Sequence, residues 1–487
     1  MFTLFGLDTT LFILLFICLF LACAFEFVNG FHDTANAVAT VIYTNSLKPN
    51  HAVVWSGVIN FLGLLTGGVG VTMSIIGLLP TELLIDPNIY HTMCLAFAML
   101  GTAIIWNLGT WYFGIPASSS HTLIGSIIGV GLGYALMPEN KKGLETVNWD
   151  KALEIGKWLL LSPLFGFAIA IILMYILKKT IKNKQIFKEP KKDTPPPMWI
   201  RAILIITCTL VSFFHGRNDG QKGIGLVMLI LIAFLPSYFA INTDVDPFKM
   251  TKEVAVVESI ISKIDTNKLS VTEKESYVKV MKASKGLDEI FADKTLDSKN
   301  LAVDKKLEIR KDVLAISKHC KKLSESDAVA LSEDDKKALK KATQGKSVPF
   351  FTYGNSGSGL SAITDFAPNW VMWMIALSLG LGTMIGWKRI VVTIGEKIGK
   401  DHLSYAQGAS AELVASFTIG MSTFLKLPVS TTHMLSSGIA GSMVASRGIK
   451  NLQGGTVKNI VMAWVLTLPV TILLAASLFY VLRLIVG

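Results

Sequence analysis

What most constrains this chain is where its charges are missing. Residues 241–350 carry 22 of its 46 Lys/Arg and 19 of its 35 Asp/Glu. The other 377 residues share the remaining 40 charges, about 11% of their number, against about 25% in soluble globular chains. Between those sparse charges run apolar stretches near 9–28, 52–79, 92–114, 122–137, 157–177, 202–240, 368–387, 407–425, 434–446 and 459–484. A membrane-crossing helix needs about 20 such residues. The stretches at 122–137 and 434–446 are short, and read as tilted spans or halves of re-entrant hairpins. A mean hydropathy of +0.51 agrees with the pattern. The expectation is an all-α integral membrane protein of about 10–12 membrane segments, with an inserted helical polar domain. A soluble enzyme, a disulfide-built secreted domain and a nucleic-acid binder are all disfavoured. The net charge of +11 follows from basic residues at membrane edges, and the five cysteines show no metal-type spacing.

Basic residues orient the set. The 178–201 segment holds seven Lys and one Arg against two acids, and reads as cytoplasmic. Lys388, Arg389, Lys397 and Lys400 mark a second cytoplasmic loop. One crossing by 202–240 and one by 368–387 satisfies both, placing 241–365 and both termini outside. The expected divisions are 1–177 (first transmembrane repeat), 178–201 (basic linker), 202–240 (start of the second repeat), 241–365 (inserted external domain) and 366–487 (rest of the second repeat).

The repeat shows in two motif pairs. Gly30-Phe31-His32-Asp33 matches Gly216-Arg217-Asn218-Asp219, and Pro116-Ala117-Ser118-Ser119-Ser120-His121 matches Pro428-Val429-Ser430-Thr431-Thr432-His433. The offsets, 186 and 312, differ by about the length of the polar block, so the second copy carries an insertion. With the orientation above, the two Asp-bearing stretches run in opposite directions. That is an inverted-topology repeat, an architecture of secondary transporters, with broken helices or hairpins expected at its centre.

Ionisable groups inside apolar runs are costly and mark function by default. Asp33 lies in Glu26-Phe-Val-Asn29-Gly30-Phe-His32-Asp33-Thr34-Ala-Asn36, and Asp219 in Phe214-His215-Gly216-Arg217-Asn218-Asp219-Gly220-Gln221-Lys222-Gly223. Both read as helix breaks lining a polar cavity. Two such carboxylates brought together by a pseudo-two-fold axis repel unless a cation or proton sits between them. The Pro-to-His motifs open helices with three hydroxyls each, suited to an anion, though ordinary Ser or Thr capping accounts for part of that pattern. His121 and His433 read equally well as structural or titrating groups. Glu412 stands inside a span with no obvious partner, and Asn60 reads as interhelical packing.

At Gly30–Ala37, His215–Lys222 and the two Pro-to-His motifs, the chain resembles the Pit family of inorganic phosphate transporters, nearest its bacterial low-affinity branch. The resemblance implies uptake of phosphate, alone or as a neutral complex with a divalent metal, coupled to protons across a bacterial inner membrane. It implies one central site, with phosphate on Asn36, Ser118, Ser119, Ser120, Asn218, Ser430, Thr431 and Thr432. The proton or cation falls to Asp33, Asp219 and Glu412, with His121, His433 and Lys222 as auxiliaries. No resident cofactor is implied, and a homodimer is left open. Arg217 stands where many members have a small residue, and Asn60 where Na⁺-coupled relatives have Glu. The alternatives are a passive anion channel and a Na⁺-coupled phosphate or sulfate transporter. No Gly-x-x-x-x-Gly-Lys-[Ser/Thr] segment exists to drive a pump or support an enzyme.

Overall fold

A computed structural model describes residues 7–76, 78, 88–140, 143–191, 193–293, 301–326, 329, 331–344, 359–425, 427 and 429–486. Among these residues regular structure is helical, with one isolated β-bridge between Gly399 and Leu452. The chain divides into two compact units, one of residues 1–230 with 369–487 and the other of residues 231–368.

The first unit runs through the same succession of elements twice. Its first half has α1 (Thr9–Tyr43), α2 (Pro49–Leu65), α3 (Gly70–Ile76), α4 (Ile89–Tyr112), α5 (Ser119–Ala135) and α6 (Trp149–Thr180). The helix α7 (Met198–Phe234) opens the second half. In the second unit follow α8 (Thr251–Ile261), α9 (Val271–Phe291), α10 (Val303–Ser324) and α11 (Glu333–Gln344). The second half then resumes with α12 (Asn369–Thr383), α13 (Lys388–Glu396), α14 (Tyr405–Phe424), α15 (Thr431–Arg447) and α16 (Gly454–Val486). In each half a long Asp-bearing helix of 35 or 37 residues comes first. A bent pair follows, α2–α3 at 77° or α12–α13 at 62°. Each half then has a 17-residue helix capped by Ser, and closes on a long helix with an internal proline, Pro163 or Pro469.

Five helices, α1, α4, α6, α7 and α16, are long and apolar enough to cross a membrane, and the two bent pairs bring the number to seven. The helices α5 and α15 would each extend about 25 Å, short of the roughly 30 Å hydrocarbon layer. With these two and the 20-residue α14, the candidate membrane segments among the described residues number ten.

Elements pack across the two halves. The helix α5 lies along α16, and α15 along α6; α1 lies along α12. Without a hydrophobic drive between helices in lipid, small residues set such contacts. A Cβ on Gly125, Gly129 or Gly133 would overlap Thr471, Ile472 or Ala476, so α5 presents one glycine per turn to α16.

The expected helix breaks at Asp33 and Asp219 are not there. The helices α1 and α7 are continuous through both motifs. The glycines serve close approach instead. A Cβ on Gly30 would lie 2.4 Å from the Leu379 carbonyl oxygen, and one on Gly216 only 2.0 Å from that of Asn60. The polar side chains find partners within their own helix and on neighbouring ones, so the backbone keeps its own hydrogen bonds. The breaks fall between α2 and α3, and at Gly386 (φ 73°) between α12 and α13.

The second unit has an apolar interior under a charged surface. Val254, Val257, Val280, Leu287, Ile309, Val313, Ile316, Leu323 and Leu339 form its core. A capping box at Ser270 and Glu273 starts α9. The buried Arg310 donates to the Ala240 and Thr364 carbonyl oxygens.

Candidate functional site

Asp33, in the middle of α1, is buried and collects donors from both Ser/Thr helix starts. Its Oδ1 accepts from the Thr432 hydroxyl at 2.6 Å and the Asn36 amide at 3.2 Å. Its Oδ2 accepts from Ser119 at 3.0 Å and Thr431 at 3.5 Å. Asn36 also donates to the Thr432 hydroxyl at 3.1 Å. Asp219, on α7, is paired with Lys222 one turn later, Nζ to Oδ1 at 2.7 Å. The same ammonium reaches the Ser120 hydroxyl at 2.5 Å and the Val429 carbonyl oxygen at 3.3 Å.

The two carboxylates meet. The Thr431 hydroxyl lies 3.5 Å from an oxygen of each. His215 Nε2 lies 3.5 Å from Asp33 Oδ2 and 3.6 Å from Asp219 Oδ2. One ligand atom from each of Asp33, His215 and Asp219 falls within a 4.8 Å cluster, all three residues buried. Asn60 faces the other ring nitrogen of His215 at 3.2 Å, and itself donates to Thr383. That contact orients the imidazole between the acids.

Other expected residues bond elsewhere. Ser118 and Ser430 are N-caps, accepting from the His121 and His433 backbone N–H groups. Asn218 turns away, donating to Thr423 at 3.0 Å. His121 and His433 pack ring on ring, centroids 4.5 Å apart, and His433 stacks on Trp464. Glu412 is buried between the hydroxyls of Thr40 on α1 and Thr207 on α7, each donating to one of its oxygens. Thr40 is two helical turns from Asp33 and Thr207 twelve residues from Asp219, so Glu412 joins the same two helices about 10 Å along α1 and about 18 Å along α7 from the acids. Pro428, the first residue of the second motif, lies outside the described residues. Sequence reasoning assigned no role to His215 or to His32, whose Nδ1 is 3.5 Å from Asp33 Oδ1. The signal was available: His215 stands four residues before Asp219, on one helical face.

Residues 29–475 match the phosphate transporter family, PHO4. The chain belongs to this family. It is 39% identical to the low-affinity inorganic phosphate transporter PitA of Escherichia coli K12, over 98% of both chains. Its identity to PitB of the same organism is also 39%, again over 98% of both. A low-affinity inorganic phosphate transporter of Buchnera aphidicola is 40% identical over 96% of each. A solved structure titled "The sodium-dependent phosphate transporter" shares the fold, with a TM-score of 0.52 and 20% identity, over 97% of this chain and 99% of that one. These relatives are transporters rather than enzymes, and this phosphate transporter family member is a multi-pass membrane protein.

Proposed function

We propose that the protein is a secondary active symporter that takes up inorganic phosphate together with protons across a bacterial inner membrane. Alternating access would arise from two inverted repeats moving about the acid pair. The observation that carries the reading is the meeting of Asp33 and Asp219 around His215, beside hydroxyls of two helix starts and the Lys222 ammonium. With His215 neutral, the two carboxylates and Lys222 sum to one negative charge, which repels a phosphate anion. A proton delivered to this cluster removes that charge. Phosphate, held by Ser119, Ser120, Thr431, Thr432 and Lys222, then enters a site no longer hostile to it. Neither ion is comfortable alone, and this mutual dependence is coupling.

The mixed oxygen and nitrogen donors of Asp33, His215 and Asp219 favour a second form of the same cargo. A divalent metal carried as its phosphate complex would neutralise the acids as protons do.

The test is uptake into proteoliposomes under separately imposed proton and Na⁺ gradients. Wild type should accumulate phosphate against its gradient when a proton gradient is imposed, and Asp33→Asn or Asp219→Asn should lose uptake while remaining folded. Wild-type rates in both variants would sink the assignment, and uptake that stalls at equal concentrations would indicate a passive channel. The inverted topology is tested separately. A cysteine at Lys274, in a Cys320-free background, should react with an impermeant thiol reagent in intact cells, and one at Thr194 should not.

A further inference from the structure

Away from the acid pair, a cavity of about 610 Å³ opens where the end of α4 meets the bend between α12 and α13. Its walls include Trp111, Tyr112 and Phe113 from α4 and its end, and Lys388, Arg389 and Lys397 from α13 and just beyond. Three cations and no carboxylate line it. We propose that this cavity binds the headgroup of an anionic phospholipid.

The walls are fixed to one another. The Arg389 guanidinium lies over the Tyr112 and Trp111 rings at 4.8 and 5.1 Å, and donates to the Tyr112 carbonyl oxygen at 2.6 Å. The Trp111 indole donates to the Gly386 carbonyl oxygen at 2.7 Å, and Thr393 to that of Gly114 at 2.7 Å. Lys388 and Lys397 are exposed, and their ammonium groups have no ion-pair partner among the described residues. They are free to meet an anion.

Two exposed apolar stripes select a lipid over a free ion. On α4, Ile105, Leu108 and Tyr112 share one face; along α12 and just past its end, Leu377, Leu381 and Ile385 share another. Both stripes end at the cavity, giving acyl chains a track and the phosphate a basic end. Aromatic residues beside cations are the usual composition of a membrane–water interface. The site also touches the transport helix. Phe31, two residues before Asp33, packs edge-on against Trp111 at 5.1 Å, and a Cβ on Gly386 would lie 3.0 Å from Phe31. Headgroup occupancy therefore bears on the α12–α13 bend and on α1 together.

The test reads lipid retention, independently of transport. Full-length protein, equilibrated with mixed phosphatidylcholine and phosphatidylglycerol, is analysed by native mass spectrometry. Wild type should retain phosphatidylglycerol selectively. The double variant Lys388→Gln/Lys397→Gln should retain it about thirtyfold less, from the loss of two cations near the surface. Lys450→Gln/Lys458→Gln, exposed residues outside the cavity, removes the same charge and should behave as wild type. The proposal is overturned by equal retention in all three proteins, or by equal loss in both variants. Displacement of the lipid by millimolar inorganic phosphate would also overturn it, because the site would then take the free ion.

Discussion

The two units of this protein solve burial in opposite ways. In residues 231–368 the interior is Val, Ile and Leu, and most charges face outward, some in pairs such as Lys279–Glu275 and Lys305–Glu308. In the rest of the chain Phe16, Phe20, Leu160 and Leu164 are exposed, while Glu26, Asp33, Asp219, Lys222 and Glu412 are buried. The difference lies in the solvent. Water drives apolar groups inward; lipid tails are as apolar as a core, so polar groups gain by turning toward one another. Charges in the first setting are nearly neutral for stability. In the second, each depends on its partner.

The largest effect should come from separating a buried pair. Lys222→Met leaves Asp219 buried without its cation, and should destabilise the membrane unit by about 3–5 kcal/mol and abolish phosphate uptake. Adding Asp219→Asn should recover most of the stability and none of the uptake, measured by thermal unfolding in detergent and by flux. If the double variant is no more stable than the single, the pair is not the unit of stability.

The soluble-type unit answers to a different loss. Leu287→Ala removes a buried side chain from its core and should cost about 2–5 kcal/mol. The cost should appear as unfolding of residues 231–368 in hydrogen exchange, with protection of α1 and α7 unchanged. Loss of protection in α1 to the same degree would mean the two units share one cooperative transition.

A smaller effect is expected at a helix contact. Gly216→Ala places a methyl group 2.0 Å from the Asn60 carbonyl oxygen, and Asn60 orients His215. Overpacking of this kind costs about 1–3 kcal/mol. Uptake should fall further than stability alone explains. Equal uptake per folded molecule would show that His215 tolerates the shift.

The smallest effect is a pH dependence in the polar unit. Burial raises Asp312 to about 6 and lowers His319 to about 4. Between the ordinary carboxylate value and 6 the folded state holds the Asp312 proton more tightly than the unfolded chain does. That group therefore weakens the fold above pH 6 and relents as pH falls. His319 acts in the opposite sense, losing stability as pH drops from about 6.5 to 4. Asp312→Asn should raise stability at pH 7 and leave the acid loss from His319 unopposed. Both groups are about half exposed, so the change stays below about 1 kcal/mol after solvent screening. A pH profile of unfolding unchanged by the substitution would count against it.

Much of this was legible in the chain. Spacing of apolar runs gave the helical membrane class, because hydrocarbon leaves the backbone little choice. Matching motifs gave Asp33, Asp219, Ser119, Ser120, Thr431 and Thr432, because a duplicated element keeps its polar residues in register. A continuous helix through Asp33 was not legible, since the glycines that suggested a break are also what close packing requires. The division of labour within each motif was hidden too. Ser118 and Ser430 cap, while Ser119, Thr431 and Thr432 face the acids and Ser120 meets the Lys222 ammonium. Local sequence fixes a helix start but not the rotation of that helix against its neighbours. His215 between two carboxylates from helices 186 residues apart in sequence register, and Glu412 between Thr40 and Thr207, exist only through that rotation. The sequence by itself determined which polar groups enter the membrane; packing between the two halves decided which of them meet, because Asp33, Asp219 and Thr431 come from three different helices, as do Glu412, Thr40 and Thr207.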